Sequence, residues 1–254
     1  MDMFRLDGKC ALITGGSRGI GFGIARGLAE AGSDLVLVAR KTDSLDAAKE
    51  RLQDTGRRIS TYSFDMEDTG EIAHLYSQII RESGGVDILV NNAGVTHRVP
   101  SEELRLEDWQ LVIDVNLTAV FAISQAFARE RIKTSKKGKI INIASLMSEQ
   151  VRPHNAPYAA SKGGIRQLTK ALAVDWASHG INVNALGPGY IRTDLTETLW
   201  QDEEFDAWVL KRTPMGRWGM PADLAAAAVF LASPASDFIT GQTIYVDGGW
   251  LAQF

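Results

Sequence analysis

The sequence has little of what several protein classes require. Cys10 is the only cysteine among 254 residues, which excludes an intramolecular disulfide and suits a reducing compartment. The first nine residues are mixed in charge, and we expect neither a signal peptide nor a stretch apolar and long enough to span a membrane. The formal net charge of −4 lacks the basic excess typical of nucleic-acid binders. The four histidines are dispersed, so we expect no metal site. Together these features predict a cytoplasmic protein with no membrane or nucleic-acid partner.

Short β-rich apolar runs alternate with segments of helical period along the chain. The predicted strands are 11–14, 35–39, 59–64, 86–90, 139–144, 181–185 and 243–246, and the predicted helices are 20–31, 44–54 and others centred near Tyr76, Phe121, Leu168 and Ala226. Repeated strand–helix units are typical of a parallel sheet covered by helices on both faces. The sequence therefore predicts an α/β fold: one Rossmann-type, doubly wound domain over residues 1–254, with about seven strands.

One irregular segment, 193–221, interrupts this pattern. It carries Trp200, Phe205, Trp208 and Trp218 among charged residues. Its length and aromatic content indicate a small helical cap over a site. A surface pair of helices that uses its tryptophans as packing anchors is an equally good interpretation.

A glycine-rich turn follows the first predicted strand and opens a helix. It is formed by Thr14, Gly15, Gly16, Ser17, Arg18, Gly19, Ile20 and Gly21. Glycines let backbone amides approach a pyrophosphate closely, and a helix N-terminus offers free donors and a favourable dipole. The turn therefore predicts a dinucleotide site, although its spacing is wider than that of the Gly-x-Gly-x-x-Gly fingerprint.

The end of the second strand distinguishes the two nicotinamide cofactors, because a carboxylate there binds the ribose of NAD(H) and a cation accommodates the added phosphate of NADP(H). Arg40 stands at this place, and Arg18 could assist it. We therefore favour NADP(H). NAD(H) stays possible, because both arginines could instead be solvated or Arg40 could lie against the adenine. Asp65 is a candidate acceptor for the adenine amino group or an N-cap for the next helix.

Tyr158 and Lys162 lie four residues apart and would share one helix face. A neighbouring ammonium and a cationic nicotinamide ring would both lower the pKa of a tyrosine, which suits a proton donor in carbonyl reduction. Ser145 follows a predicted strand, where its hydroxyl could hydrogen-bond the reacting oxygen. Asn116 lies in an otherwise apolar helix, where it is either a satisfied core amide or part of a proton relay.

With these residues taken together, the sequence resembles the classical short-chain dehydrogenases/reductases. The matching residues keep the family's order and separations over essentially the whole chain: Thr14, Gly15, Gly19, Gly21, Asn91, Asn92, Ala93, Gly94, Asn116, Ser145, Tyr158, Lys162, Pro188, Gly189 and Thr193. The segments 216–219 and 237–250 look like those of the sugar-acid members, the gluconate 5-dehydrogenases and 2-deoxygluconate 3-dehydrogenases.

The resemblance implies a role for each catalytic candidate. Tyr158 would be the acid/base, Ser145 would polarise the substrate oxygen, Lys162 would bind the nicotinamide ribose and lower the pKa of the tyrosine, and Asn116 would anchor a relay water. It also implies a homotetramer. The implied cofactor contacts add Asp65 and Met66 at the adenine, Asn92 at the ribose beside Ala93 and Gly94, and Ile191 and Thr193 at the carboxamide, after Pro188 and Gly189.

The substrate is predicted from cations near the proposed site. Arg98, Arg152 and His154 could bind the carboxylate of a hydroxy or keto sugar acid of the gluconate/5-ketogluconate type. Any one of them could equally be a solvated loop residue. Two other functions stay open: a 3-oxoacyl carrier-protein reductase, and a protein that binds the cofactor without turnover. The negative chain disfavours the first, and the presence of Ser145, Tyr158 and Lys162 disfavours the second.

Overall fold

Seven short strands form one all-parallel sheet in the computed structural model, which describes residues 2–253. Their order is β3-β2-β1-β4-β5-β6-β7, so the chain reverses its direction of winding between β1 and β4. Ligands of open α/β sheets bind outside the carboxyl ends of the strands at such a reversal. The strands are β1 (Cys10–Thr14), β2 (Asp34–Ala39), β3 (Ile59–Ser63), β4 (Ile88–Asn91), β5 (Gly138–Ile143), β6 (Ile181–Pro188) and β7 (Thr243–Val246).

Helices follow the strands and cover both faces of the sheet. They are α1 (Gly19–Glu30), α2 (Thr42–Leu52), α3 (Ile72–Ser83), α4 (Leu106–Ile113), α5 (Ala119–Lys133), α6 (Ala156–Trp176), α7 (Glu197–Trp200), α8 (Glu203–Arg212) and α9 (Ala225–Ala232). The predicted doubly wound α/β fold is thus confirmed, and each predicted strand is present. β6 continues to Pro188, beyond the predicted end at residue 185, because its last residues also pair with β7.

Strand alternation divides the core into two layers. Along β1, Ile13 packs with α1 and α9 on one face, while Leu12 packs with α3 and α5 on the other. Both side chains are fully buried. Because helices cover both faces, the alternating side chains of a central parallel strand can all be apolar.

A long helical run, Leu106–Lys133, passes from α4 into α5 through a π-helical turn at Asp114–Thr118. The run has the length and composition of a membrane-spanning helix, so the expectation that no stretch meets those criteria is wrong. Half of the apolar window is buried, and Ile123 and Phe127 on it are fully covered in the core. The run is therefore packed as a core helix of the domain.

The segment 193–221 contains α7 and α8 and packs near the end of β6. Val209 and Trp218 are buried there in a cluster with Trp250, against the partly buried Tyr190. Trp218 also donates from Nε1 to Asp206 Oδ1 at 2.7 Å. Trp218 therefore anchors the segment in this cluster, whereas Trp208 is 43% exposed.

Candidate active site

Tyr158 and Lys162 occupy the first turns of α6 and face the same side. The Lys162 Nζ lies 5.6 Å from the centroid of the Tyr158 ring. It donates to the carbonyl oxygen of Ile143, the last residue of β5, at 2.6 Å. This bond ties the ammonium to the carboxyl end of the sheet, where the serine candidate also lies.

Ser145 follows β5 in an extended conformation and begins a short 3₁₀ turn, Leu146–Ser148. Its Oγ accepts from the backbone amide of Met147 at 3.1 Å. Ser145 and Tyr158 line the same cavity, and the serine side chain opposes the rise in the pKa of Tyr158. Sheet and helix therefore bring together the predicted serine, tyrosine and lysine.

Burial controls the protonation of this site. It raises the pKa of Tyr158, and the Ser145 side chain and the charges of Arg98 and Arg152 act in the opposite direction. Burial also lowers the pKa of Lys162 to about 8. In the protein without cofactor, Tyr158 therefore keeps its proton at neutral pH, and two arginines supply the positive charge that acts on its pKa.

A cavity opens beside Ser145 and Tyr158. Its walls are formed by Thr96, Arg98, Ser145, Leu146, Met147, Arg152, Asn155, Tyr158, Gly189, Tyr190, Leu195, Thr196 and Leu199. Two of the three predicted substrate cations, Arg98 and Arg152, lie in these walls. His154 is not among them; it is exposed and has a left-handed backbone with φ of 61°.

The cavity also contains a residue that the sequence analysis did not single out. Tyr190 follows the Pro188-Gly189 pair directly and lines the cavity with the arginines. Its position directly after that pair is the feature of the sequence that could have identified it as a site residue. Leu195, Thr196 and Leu199 bring the start of segment 193–221 to the same cavity.

The π-helical turn places Asn116 in the core, where its side chain is completely buried. Its Oδ1 accepts from the amide of Val95 at 2.8 Å, and its Nδ2 donates to the Val95 carbonyl at 2.9 Å and to Ser161 Oγ at 3.1 Å. The amide thus fastens the loop after β4 to α6. This is the satisfied core amide of the first interpretation, and its role toward a relay water stays a prediction.

The glycine-rich turn has the shape that a dinucleotide phosphate requires. Gly15 and Gly19 have φ of 64° and 54°, in the left-handed region. A Cβ on Gly21 would lie 2.2 Å from the Gly15 carbonyl oxygen and 2.4 Å from Asn92 Nδ2. That Nδ2 donates to the carbonyl oxygens of Thr14 and Gly15, each at 3.0 Å. The residues therefore fit a nicotinamide dinucleotide, with the amide of Asn92 supporting the turn.

The two arginines predicted to bind the phosphate each pair with a different aspartate. Arg40 is exposed at the end of β2, with Nη1 3.8 Å from Asp65 Oδ2. Arg18 donates to Asp194 Oδ2 at 2.8 Å, so it reaches the segment 193–221. Ser17 is buried and accepts from Ser44 Oγ at 3.2 Å, which joins the glycine turn to α2.

The other predicted cofactor residues lie along the carboxyl edge of the sheet. Met66 is buried in the core, and Ile191 is buried beside Gly219. A Cβ on Gly19 would lie 3.4 Å from Thr193 Cγ2, so this threonine borders the glycine turn. Ala93 and Gly94 follow β4, where the Ala93 amide donates to Thr14 Oγ1 at 3.1 Å, and Pro188 and Gly189 lie at the end of β6.

Comparisons with known proteins agree with this geometry. A family model described as enoyl-(acyl carrier protein) reductase matches residues 15–251. Gluconate 5-dehydrogenase of Gluconobacter oxydans is 48% identical over 248 residues, with 98% of this chain and 96% of that protein covered. 5-Keto-D-gluconate 5-reductase of Escherichia coli K12 is 44% identical, with 98% of each chain covered.

Among solved structures, a gluconate 5-dehydrogenase from Burkholderia cenocepacia in complex with NADP and tartrate is 46% identical. It superposes with a TM-score of 0.95 over 100% of this chain and 99% of that one. The resemblance on which the motif residues were assigned is therefore confirmed. The chain belongs to the short-chain dehydrogenase/reductase family and is an NAD(P)-dependent oxidoreductase.

Proposed function

We propose that this protein interconverts a secondary alcohol and a ketone on a sugar acid of the gluconate/5-ketogluconate type, with NADP(H) as cofactor. The observation that carries the proposal is the presence of two guanidinium groups in the cavity beside the Ser145 and Tyr158 hydroxyls. Among residues 2–253, no carboxylate lies within 4.0 Å of Arg98 or Arg152. An anionic substrate would supply the missing counter-charge.

The names of similar proteins support the same substrate class. The relatives from Gluconobacter oxydans and Escherichia coli are named for gluconate and 5-keto-D-gluconate. The Burkholderia structure holds tartrate, a hydroxy acid with two carboxylates. A carboxylate bound by the arginines would place a hydroxyl or keto carbon farther along the sugar chain near Tyr158.

The proton chemistry follows from the two hydroxyls and the lysine. The glycine-rich turn and Arg40 would hold the nicotinamide cofactor, which would supply hydride to the reacting carbon in one direction and take it up in the other. Tyr158 gives its proton to the carbonyl oxygen during reduction and takes it back during oxidation. Ser145 donates a hydrogen bond to the same oxygen, which fixes the reacting group. Lys162, held by the Ile143 carbonyl, contributes a positive charge next to the tyrosine when it is protonated.

NADP(H) is the favoured cofactor because Arg40 stands at the end of β2. Its carboxylate neighbour, Asp65, is 3.8 Å away at an exposed position, so a phosphate can compete for the guanidinium. Structures similar to this chain carry bound NADP. Arg18 can join Arg40 at the phosphate only by leaving Asp194.

A 3-oxoacyl carrier-protein reductase is the alternative within the same family. An acyl thioester offers no carboxylate next to its keto group, so it would leave the paired arginines unused. A protein that binds cofactor without turnover would not need Ser145 and Tyr158 together in one cavity wall. The geometry of the cavity therefore favours the sugar-acid enzyme.

Assembly and location complete the proposal. We propose a cytoplasmic homotetramer built through the exposed faces of α5 and α6, where Phe121 and Val174 are 41% and 80% exposed. Burial of such apolar side chains would favour association. The segment 193–221 would act as the substrate cap, since its first residues line the cavity.

The testing experiment is a substrate panel followed by nicotinamide absorbance with NADPH or NADP⁺. The panel contains 5-keto-D-gluconate, its neutral analogue L-sorbose, D-gluconate, neutral polyols and a 3-oxoacyl thioester. Turnover highest on the sugar acids is the expected result. Preference for the thioester or for the neutral sugars would contradict the proposal.

A further inference from the structure

Tyr190 is a second phenol in the catalytic cavity. It lines the walls together with Arg98, Arg152 and Tyr158. Proton transfer in the proposed reaction is assigned to the Tyr158 phenol, so the Tyr190 phenol has a different role.

The ring of Tyr190 is fixed by four aromatic neighbours. The ring centroids lie 4.7 Å from Trp250, 5.6 Å from Trp218, 5.7 Å from Phe205 and 5.9 Å from Trp208. Most of these pairs meet edge to face, which is a favourable arrangement for aromatic rings. A phenol held in this way keeps its hydroxyl in one place without further loss of conformational freedom on substrate binding.

Arg152 lines the same cavity as Tyr190 and lies beside this aromatic cluster. Its guanidinium carbon is 5.2 Å from the centroid of the Phe205 ring, which itself packs on Tyr190. Burial raises the pKa of Tyr190, while the positive charges of Arg152 and Arg98 act in the opposite direction. At neutral pH the phenol is therefore protonated, and its oxygen can accept from the guanidinium.

Such a partner matters because the cavity holds two like charges. Burial lowers the pKa of Arg98, and the charge of Arg152 lowers it further. Two guanidiniums repel each other until an anion binds between them. A fixed acceptor that orients one of them prepares the pair for a carboxylate.

We propose that Tyr190 is a positioning residue that holds the Arg152 guanidinium toward the substrate carboxylate and thereby sets the preference for an anionic substrate. This inference rests on the proposed function, because the ligand of Arg152 is taken to be the carboxylate of a sugar acid. The ring and the hydroxyl have separate roles: the ring packs in the cluster, and the oxygen orients the arginine.

Tyr190→Phe separates these roles, since it keeps the ring and removes the oxygen. We would measure kcat and KM with NADPH for 5-keto-D-gluconate and for L-sorbose, in which CH₂OH replaces the carboxylate. A hydrogen bond to a charged group predicts a rise of roughly tenfold in KM for the keto acid, with kcat changed less than about twofold. The KM for L-sorbose should change less than about twofold.

A double-mutant cycle tests the connection to Arg152. Tyr190→Phe in the Arg152→Ala background should add less than about a twofold effect, because the group that it positions is already absent. Additive losses, a loss confined to kcat, or equal losses on both substrates would overturn the inference. Tyr62→Phe is the matched control, since its hydroxyl donates to Glu82 of α3 and neither residue lines the cavity, so no substrate effect is expected.

Binding measurements distinguish this inference from the proposed function. Tryptophan fluorescence of the NADPH complex, titrated with D-gluconate, reports binding without turnover. If the wild type binds gluconate but does not reduce the keto acid, the proposed reaction is wrong, and roughly tenfold weaker binding by Tyr190→Phe still supports the positioning role. Equal binding by both proteins, or no gluconate binding by the wild type, would overturn it.

Discussion

The Lys162 ammonium donates to the Ile143 carbonyl oxygen at 2.6 Å and is thereby tied to the end of the central strand β5. The same side chain is almost fully buried, with 5% of its surface exposed. A protonated amine in this place is costly, and the pKa of Lys162 falls from its ordinary value of 10.5 to about 8.

This shift makes stability depend on pH. Between pH 8 and 10.5 the unfolded chain binds more protons at Lys162 than the folded chain, so this residue makes the folded state more stable as pH rises through that window. Below pH 8 the burial of the protonated amine costs about 3 kcal/mol. Relative to Lys162→Met, the cofactor-free wild type should therefore gain stability from pH 8 to 10.5. Denaturant unfolding of both proteins across this range checks it, and parallel curves would contradict it.

Arg98→Ala and Arg152→Ala should each weaken catalysis on sugar acids selectively. Loss of a charged hydrogen bond to a carboxylate predicts a decrease of about 10- to 100-fold in kcat/KM for 5-keto-D-gluconate. Activity on L-sorbose should change far less, because it has no carboxylate. Steady-state kinetics on both substrates provide the measurement, and equal losses on both, or none on either, would defeat the idea of a carboxylate site.

Arg40 should determine the choice of cofactor. Arg40→Asp replaces a cation with a carboxylate that repels the phosphate of NADPH and can accept from the ribose of NADH. The ratio of kcat/KM for NADPH to that for NADH should fall by about 100-fold or more. Arg81→Asp, an exposed arginine on α3, serves as the charge-matched control. A wild-type preference for NADH would contradict the assignment.

Gly21→Ala should distort the glycine-rich turn that is predicted to bind the phosphates. The added Cβ would lie 2.2 Å from the Gly15 carbonyl oxygen, so the backbone has to move. NADPH binding, followed by fluorescence, should weaken by at least about tenfold. Gly70→Ala is a suitable control, because a Cβ there meets no atom within 4 Å. Unchanged NADPH affinity in Gly21→Ala would show that the turn does not hold the phosphates.

The strands and the shared helix face of the catalytic pair could be predicted from the sequence, because both depend on residues close together in the chain. The short β-rich apolar runs placed every strand, and the four-residue spacing of Tyr158 and Lys162 placed both on one face of α6. The ends of parallel strands meet at one edge, so Ser145 could also be placed near them.

The remaining features depend on tertiary contacts that spacing does not encode. Arg18 lies 176 residues from Asp194 in sequence, and only the folded chain shows this pair. Tyr190 gains its environment from Phe205, Trp218 and Trp250, which belong to distant elements. The π-helical turn at Asn116 also could not be predicted, because no pattern of residues in the sequence distinguishes it from a regular helix.

The central claim is that the Tyr158 hydroxyl transfers the proton, and Tyr158→Phe tests it most directly. The substitution keeps the ring on α6 and removes the only atom that exchanges a proton with the substrate. The reduction of 5-keto-D-gluconate by NADPH should lose at least about 100-fold in kcat, by the usual contribution of a general acid, while NADPH affinity stays within about twofold. A variant that retains wild-type kcat would contradict the mechanism.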